Sequence, residues 1–342
     1  MASDLSTSVR PTLDEVARAA GVSRATASRA INGSGPVSQR AGEAVDRAVR
    51  QLAFIPNRAA QTLASRRTDA ITLVMPEPNS LLFADPFIAA TIQGVSTALA
   101  ESRYSLLLLM ARPGGPDEKA LEFLHRGHVD GAIVVSHHRG DQIEETLLAG
   151  EVPAVLIGRP WRTQGESLPW VDVDNTRGGY LATRRLIALG RRHIACIAGP
   201  DDMRVVADRC AGWRQALREA GLEPGPLTHG SFTMDVGVQS TIRAFDLDPA
   251  VDGIFAQSDQ LAAGAIRVLG EGGKHVPGDV AVVGFDDSGV ALSTVPQLTT
   301  VTNPAVEMAH RAAALLLAQL AGEPADPAPE LIAPRLIVRE SA

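Results

Sequence analysis

The sequence predicts an α/β protein: a small three-helix head with a helix-turn-helix, a hinge helix, and then two Rossmann-like lobes. Three observations lead there. Residues 12–53 carry apolar side chains at helical spacing, interrupted by a glycine turn. Residues 70–340 pass through two series of short apolar runs alternating with helical segments. The charge is also uneven. Residues 1–68 hold ten Arg against five acids, and the remainder of the 342-residue chain holds 22 basic residues against 34 acids. The net charge of −7 thus hides a basic head on an acidic body. That division suits contact with a polyanion such as DNA through the head alone.

The head reads from its first residues. Thr12 followed by Glu15 forms a capping-box pattern, so a helix should start at Leu13. Leu13, Val16, Ala17 and Ala20 share its apolar face, and Gly21 supplies the left-handed residue that ends it. Val22 packs the turn, and Ser23 caps a second helix from about Arg24 to Ile31, which Asn32-Gly33 breaks. Two short helices joined in this way form a helix-turn-helix, whose second helix enters the major groove N-terminus first. Arg24, Ala25 and Arg29 are the candidates for base edges. Arg bonds guanine bidentately, worth about 1–3 kcal/mol of discrimination, while Ala offers only an apolar contact to a thymine methyl. Ser23, Thr26, Ser28 and Asn32 are short donors suited to phosphates, and Thr12 joins the DNA-contacting set. A helical hairpin with solvated arginines is the plainer alternative.

A third helix, about Ser38 to Ala53, has one apolar stripe that closes the head's core. Arg40, Arg47 and Arg50 lie on its other faces and read as solvated. Pro56 then ends the preceding structure, and Asn57 can cap a helix over residues 57–65. Nine residues fall short of the roughly 12–15 that an isolated helix needs in water. Two copies packed together in a minor groove would supply the missing brace, with Leu63 wedged between base steps. The alternative is a plain linker.

In the body, the runs ITLVMP, YSLLLLM, GAIVVS and PAVLIG read as buried parallel strands, with helices over 87–101 and 117–127. The second series comprises HIACIAG, a helix around 206–220, a short stretch at 227–232, a helix at 235–245, GIFAQS, a helix at 259–271 and DVAVVGFDD. Segments near 158–163 and 285–301 are expected to cross between lobes. The predicted division is a head over 1–56, a hinge helix and linker over 57–69, and a two-lobed domain over 70–342. Its N-lobe takes about 70–160 plus 287–301, and its C-lobe about 161–286 plus 302–340. Ligands should bind at the carboxyl ends of the strands, between the lobes.

Several classes are excluded. No apolar run reaches the ~18 residues of a spanning helix, and residues 1–10 lack the ~7–15-residue apolar core of a signal peptide, which points to the cytoplasm. Cys196 and Cys210 have no neighbouring His/Cys ligand spacing; Cys196, within IACIA, reads as a core thiol. No GxGxxG, P-loop or GxSxG motif is present, and Asp286-Asp287 has no acid/base partner or metal set in view. No enzyme, cofactor or metal site is therefore expected.

The segments TLDEVARAAGVS, TASRAING, VSQRAGEAV and IPNRAAQTLA closely resemble the lactose-repressor (LacI/GalR) family of bacterial transcription regulators. The resemblance implies that Arg24, Ala25 and Arg29 read bases, that Leu63 is the minor-groove wedge and that Ala60 is its neighbour in the groove. Ala27 departs from that family's larger valine. GRRHIACIAGP, ADRCAGW and DVAVVGFDDS are similar to the family's effector domain, which has the periplasmic sugar-binding-protein fold. By the same resemblance Arg209 would fix a polar group of an effector, Asp286 would take paired hydroxyls and Phe232 would stack on a ring. Phe87 and Trp161 are further stacking candidates, and Ser136, Ser258 and Asp259 are candidates for the rim. Each has a duller reading: Asp286 could cap a helix or pair with Arg209, and the aromatics could be core. Trp213 is assigned to the core, and His137 and His138 to a surface loop. Ile88 stands where relatives often have a second aromatic, which favours a saccharide over a stacked purine. The expectation is a homodimeric repressor on a palindromic double-stranded operator, released by a small-molecule sugar such as a β-glucoside di- or oligosaccharide, with no membrane partner. The alternatives are a non-sugar corepressor or an enzyme on a Rossmann-like scaffold. The absence of a C-terminal heptad helix after RLIVRE argues for a dimer over a tetramer.

Overall fold

The computed structural model describes residues 11–32, 35–55, 67–78, 84–112, 117–150, 152–161, 168–323 and 330–342. The chain forms two compact units, residues 1–68 and 69–342. The sequence predictions at Asn57, Ala60 and Leu63 lie outside the described residues.

The first unit contains α1 (Leu13–Ala20), α2 (Arg24–Asn32) and α3 (Gln39–Leu52). The capping box forms in both directions: Glu15 N–H donates to Thr12 Oγ1 at 3.3 Å, and Thr12 N–H donates to Glu15 Oε2 at 2.7 Å. Gly21 ends α1 at φ 65°, where a Cβ would be strained. Ser23 Oγ accepts from Thr26 N–H at 3.1 Å and starts α2. Val16, Ala17, Ala27, Val45 and Ala48 form the core, edged by Leu13, Val22, Ile31, Leu52 and Phe54. Ala27 is fully buried.

The second unit begins with β1 (Ala70–Met75), α4 (Pro86–Leu99), β2 (Ser105–Met110), α5 (Glu118–His125), β3 (Gly131–Val135), α6 (Ile143–Ala149), β4 (Ala154–Ile157) and β5 (Trp170–Val173). It continues with α7 (Asn175–Ala188), β6 (Ile194–Ala198), α8 (Arg204–Glu219), β7 (Leu227–His229), α9 (Met234–Leu247) and β8 (Gly253–Ala256). The remaining elements are α10 (Asp259–Glu271), β9 (Ala281–Asp286), α11 (Gly289–Ser293), β10 (Thr299–Thr302), α12 (Ala305–Ala321), β11 (Glu330–Ile332) and β12 (Leu336–Ile337). They build two six-stranded sheets, ordered β11-β5-β4-β3-β1-β2 and β12-β10-β9-β8-β6-β7. All pairings are parallel except β12 with β10. The central strands are buried along their length, which is why they read as unbroken apolar runs. Trp213 and both cysteines lie in the core.

The lobes divide differently from the sequence expectation. β5 pairs with β4 in the first sheet, so residues 168–173 belong to the first lobe. β10 pairs with β9, so residues 287–302 stay in the second. α12 packs on α4, β3, β4 and β5, and β11 pairs with β5, which returns the chain to the first lobe. The chain therefore crosses three times: after Val173, after Thr302 and between Ile332 and Leu336. Apolar patterning reports that a strand is buried but not which sheet it joins, and WVDV is too short and too polar to stand out.

Two helices of the second lobe cross at van der Waals contact. A Cβ added at Gly179 of α7 would overlap the Arg209 carbonyl of α8, and one at Gly212 would overlap the Thr176 carbonyl. These glycines fix the height of α8, and hence of Arg209, above the sheet.

Candidate functional site

In the head, Ser23, Arg24, Ala25, Arg29 and Asn32 are exposed on one short helix and its cap. Arg24 Nε lies 3.4 Å from Asp14 Oδ1 with both side chains largely in solvent, and Arg29 Nε donates to the Ala25 carbonyl at 3.3 Å. Such exposed ties are weak and easily traded for a base edge or a phosphate. Ser23 Oγ lies 2.9 Å from Thr26 Oγ1, and Asn32 Nδ2 donates to Ser28 Oγ at 3.2 Å. The short polar residues thus hold the helix ends as well as facing outwards.

The second site lies between the two sheets, at the carboxyl ends of their strands. Asp85, Phe87, Ser136, His137, Gly158 and Asp172 line it from the first lobe, and Arg204, Arg209, Phe232, Ser258, Gln260 and Asp286 from the second. Asn303, at the second crossover, completes the wall; the space, open mouth included, is about 700 Å³. This is within the range of small-molecule sites.

Arg209 is the central cation and is buried. Its Nε donates to Asn175 Oδ1 at 2.8 Å and its Nη1 to the Gln257 carbonyl at 2.6 Å, with the guanidinium 3.7 Å from the centre of the Phe285 ring. Among the described residues nothing accepts from Nη2, so the group is rigidly held with one donor arm free. Three carboxyl groups surround it. Burial pushes Asp85 and Asp172 up to about 6, although the backbone N–H groups of Phe87 and Arg159 and the charge of Arg209 pull the other way. Burial, and then the nearby Asp259, hold Asp286 well above the usual carboxylate range. Asn303 Nδ2 donates to Asp286 Oδ1 at 3.0 Å, and Asn303 Oδ1 is buried without a partner among the described residues. Asp286 and Asp287 have φ of 122° and 53°, a conformation L residues seldom adopt. The wall sets desolvated carboxyl oxygens and the unpartnered Asn303 oxygen beside one cation, and a polyhydroxylated ligand can donate to such acceptors.

Of the residues singled out in the sequence, Phe87, Ser136, Arg209, Phe232, Ser258 and Asp286 line this cleft. Ser258 also caps α10, accepting from Leu261 N–H at 3.2 Å. Two predicted contacts stand elsewhere. Trp161 does not line the cleft; its Nε1 donates to the Asp202 carbonyl at 3.0 Å. Asp259 is buried at the start of α10, where its carboxylate accepts from Ser288 N–H (2.7 Å), Ser288 Oγ (3.0 Å) and Thr300 Oγ1 (2.5 Å); it ties the loop after β9 in place. His137 and His138 are buried rather than on the surface. His137 lies 3.3 Å from the Gly158 carbonyl, and burial lowers its pKa. Sequence reasoning missed Asp85, Asp172, Gln260 and Asn303. Asp85, the cap of α4, and Asp172, within WVDV, both belong to the first lobe and come near Arg209 only in the folded chain.

Known proteins bear on both sites. Residues 12–57 match the model of the bacterial regulatory proteins of the lacI family, and residues 183–342 match a periplasmic binding protein-like domain. The HTH-type transcriptional regulator CelR of Thermobifida fusca is 45% identical over 334 residues, 97% of this chain and 98% of CelR. The chain belongs to the LacI family. A solved structure described as a transcriptional regulator CelR–cellobiose complex shares the fold with a TM-score of 0.76 at 42% identity, covering 97% of this chain and all of that one. The lac repressor dimer bound to operator and the anti-inducer ONPF aligns with a TM-score of 0.84 at 26% identity, over 97% of this chain and 99% of that one. As a LacI-family member the protein is a DNA-binding transcriptional regulator and not an enzyme.

Proposed function

We propose that this regulator is a dimeric repressor that leaves a palindromic operator when a β-linked disaccharide of the cellobiose class enters the cleft. One observation carries the reading: Arg209, with one donor arm free, lines the same cleft as the desolvated carboxyl groups of Asp85, Asp172 and Asp286 and the unpartnered oxygen of Asn303. Sugar hydroxyls can donate to these oxygens and accept from the Arg209 guanidinium. The likeness to CelR, a relative solved with cellobiose, supports the choice of sugar. Phe87 and Phe232 offer ring faces for the pyranose. In the head, Arg24, Ala25 and Arg29 read bases, while Thr12, Ser23, Thr26, Ser28 and Asn32 fix register on phosphates. The protein acts in the cytoplasm, where its operator is, and no helix among the described residues is long and apolar enough to cross a membrane. Calorimetric titration with cellobiose, glucose and a nucleoside tests the ligand class: cellobiose should bind tightest, and a preference for the nucleoside would overturn the reading.

Residues 57–65 supply the coupling. Nine residues are too few for a stable isolated helix, so by the sequence reading their pairing with a second copy in the minor groove would be open to disruption when sugar binds. Leu63→Ala is expected to weaken operator binding at least tenfold while changing cellobiose affinity less than twofold. Mobility-shift and calorimetric titrations of the same preparation check this, and equal losses in both would contradict it.

The acids also set a pH dependence. Asp85 and Asp172 titrate near 6 in the folded protein and near 3.8 as free side chains, so their protonation stabilises the fold fully below pH ~4, and this is lost as pH rises through about 6. Sugar hydroxyls favour the ionised form. Cellobiose affinity should therefore fall as pH drops from 7 to 5, and binding at pH 6 should release protons. The observable is a binding enthalpy that varies with buffer ionisation enthalpy; a buffer-independent enthalpy would count against it.

A further inference from the structure

The two sheets are joined by three covalent crossovers, and the lobes are also bridged by side chains at the edge of the cleft. Three loops meet there. One follows β3 and carries His138 and Arg139, one follows β4 and carries Arg159 and Trp161, and one follows β6 and carries Asp202. Each loop adjoins a cleft-lining residue: Ser136 and His137 precede His138, Gly158 precedes Arg159, and Met203 and Arg204 follow Asp202. The first two loops belong to the first lobe and the third to the second.

The contacts across this seam are polar. His138 Nδ1 lies 2.9 Å from Asp202 Oδ1, and His138 Nε2 lies 3.6 Å from Glu77 Oε1, just after β1. Asp202 accepts two further bonds at its carbonyl oxygen, from Arg139 N–H at 3.0 Å and from Trp161 Nε1 at 3.0 Å. Two guanidinium groups lie over the Trp161 ring: Arg139 of its own lobe at 4.0 Å and Arg204 of α8 at 5.5 Å from its centroid. Arg204 also pairs with Asp208 at 3.3 Å, and Asp208 accepts Arg159 of the first lobe through Nε at 3.1 Å and Nη2 at 2.5 Å. The network runs unbroken from Glu77 to Arg159 and crosses the lobe boundary at Asp202, at the Trp161–Arg204 stack and at Asp208.

We infer that His138, Arg139, Trp161 and Arg159 of the first lobe close on Asp202, Arg204 and Asp208 of the second as a clasp that holds the lobes together and so sets how tightly the cleft retains its effector. Opening the lobes would break every cross-lobe contact at once and strand partly desolvated charges, so the clasp resists opening cooperatively. Burial pulls the His138 imidazolium down, but the carboxylates of Glu77 and Asp202 outweigh it and hold its pKa near 9, so the contact to Asp202 is an ion pair at neutral pH. Trp161, a stacking candidate from sequence, thereby becomes a positioning residue that acts from outside the cleft.

The inference rests on the proposed function only for the identity of the sugar, and its test separates the two. D202N removes the carboxylate charge at a half-exposed side chain and keeps the backbone acceptor; W161F keeps a ring and loses the Nε1 donor. In the absence of any sugar, hydrogen exchange of residues 136–142 and 199–204 should be at least fivefold faster in either variant than in wild type. In calorimetry with cellobiose, each variant should bind roughly fivefold to tenfold more weakly, and the double variant less weakly than the product of the two losses. Operator affinity without sugar should change less than twofold. Unchanged exchange in both variants would overturn the clasp whatever the sugar data show. Loss of sugar affinity in W161F with none in D202N would also overturn it, returning Trp161 to a ligand-stacking role. Failure of the wild type to bind cellobiose would instead count against the proposed effector.

Discussion

Arg209→Met should abolish the response to cellobiose, weakening sugar binding at least 100-fold, about 2.7 kcal/mol, while operator binding persists. The magnitude follows from what the guanidinium does. Its free arm is the cleft's fixed donor, and its other two nitrogens hold Asn175 and the Gln257 carbonyl, so the arm is placed before the ligand arrives. It is also the cation at the centre of Asp85, Asp172 and Asp286. Without it these carboxyls must protonate further or repel one another. The substitution should therefore cost about 3 kcal/mol of stability at pH 7 and less at pH 5, where protonation relieves the loss. Urea melts at both pH values measure this sign. A variant equally destabilised at pH 5 and 7, or one that keeps its sugar response, would refute this role for Arg209.

The second large effect concerns a residue that touches no ligand. Gly212→Val should destabilise the second unit by about 3 kcal/mol or more and lower sugar affinity in whatever protein remains folded. A Cβ at Gly212 would overlap the Thr176 carbonyl and crowd the Tyr180 N–H, both backbone groups of α7 that cannot swing aside. The helices must separate, and α8 carries Arg209, Arg204 and Asp208 with it. By contrast, Gly270→Ala on α10 adds a Cβ that meets nothing within 4 Å and should be neutral or slightly stabilising. Comparing the thermal midpoints of the two variants decides between close helix crossing and a general intolerance of glycine replacement.

Local devices are the part of the architecture most legible in the sequence. The capping box at Thr12, the Gly21 turn and the Ser23 cap are each set by residues within four positions of one another, and all three form as the pattern predicts. The boundaries of α10 and of the central strands are equally plain, whereas YSLLLLM, which reads as buried, forms the edge strand β2 with Leu107, Leu108 and Met110 exposed. The lobe boundaries are not, because joining β5 to the first sheet and β10 to the second is a long-range choice that leaves no mark on local periodicity. The cleft shows the same limit. Arg209 and Asp286 sit in phrases similar to a known domain, whereas Asp85, Asp172 and Asn303 converge from segments more than 80 residues apart. Trp161 and Asp259 sit at loop edges where a ligand contact is a fair expectation, but their partners, the Asp202 carbonyl and the Ser288 and Thr300 hydroxyls, are distant in sequence. His138 reads as a loop residue because the carboxylates that hold it, Glu77 and Asp202, lie 61 and 64 positions away.

The central claim is that a sugar in the cleft of the second unit unseats the first unit from DNA. Fluorescence anisotropy of a labelled palindromic operator, saturated with protein and titrated with cellobiose, tests it most directly. The account predicts complete release of the operator over the concentration range in which calorimetry shows the cleft filling. Operator that stays bound, or binds more tightly, when the cleft is saturated would contradict it.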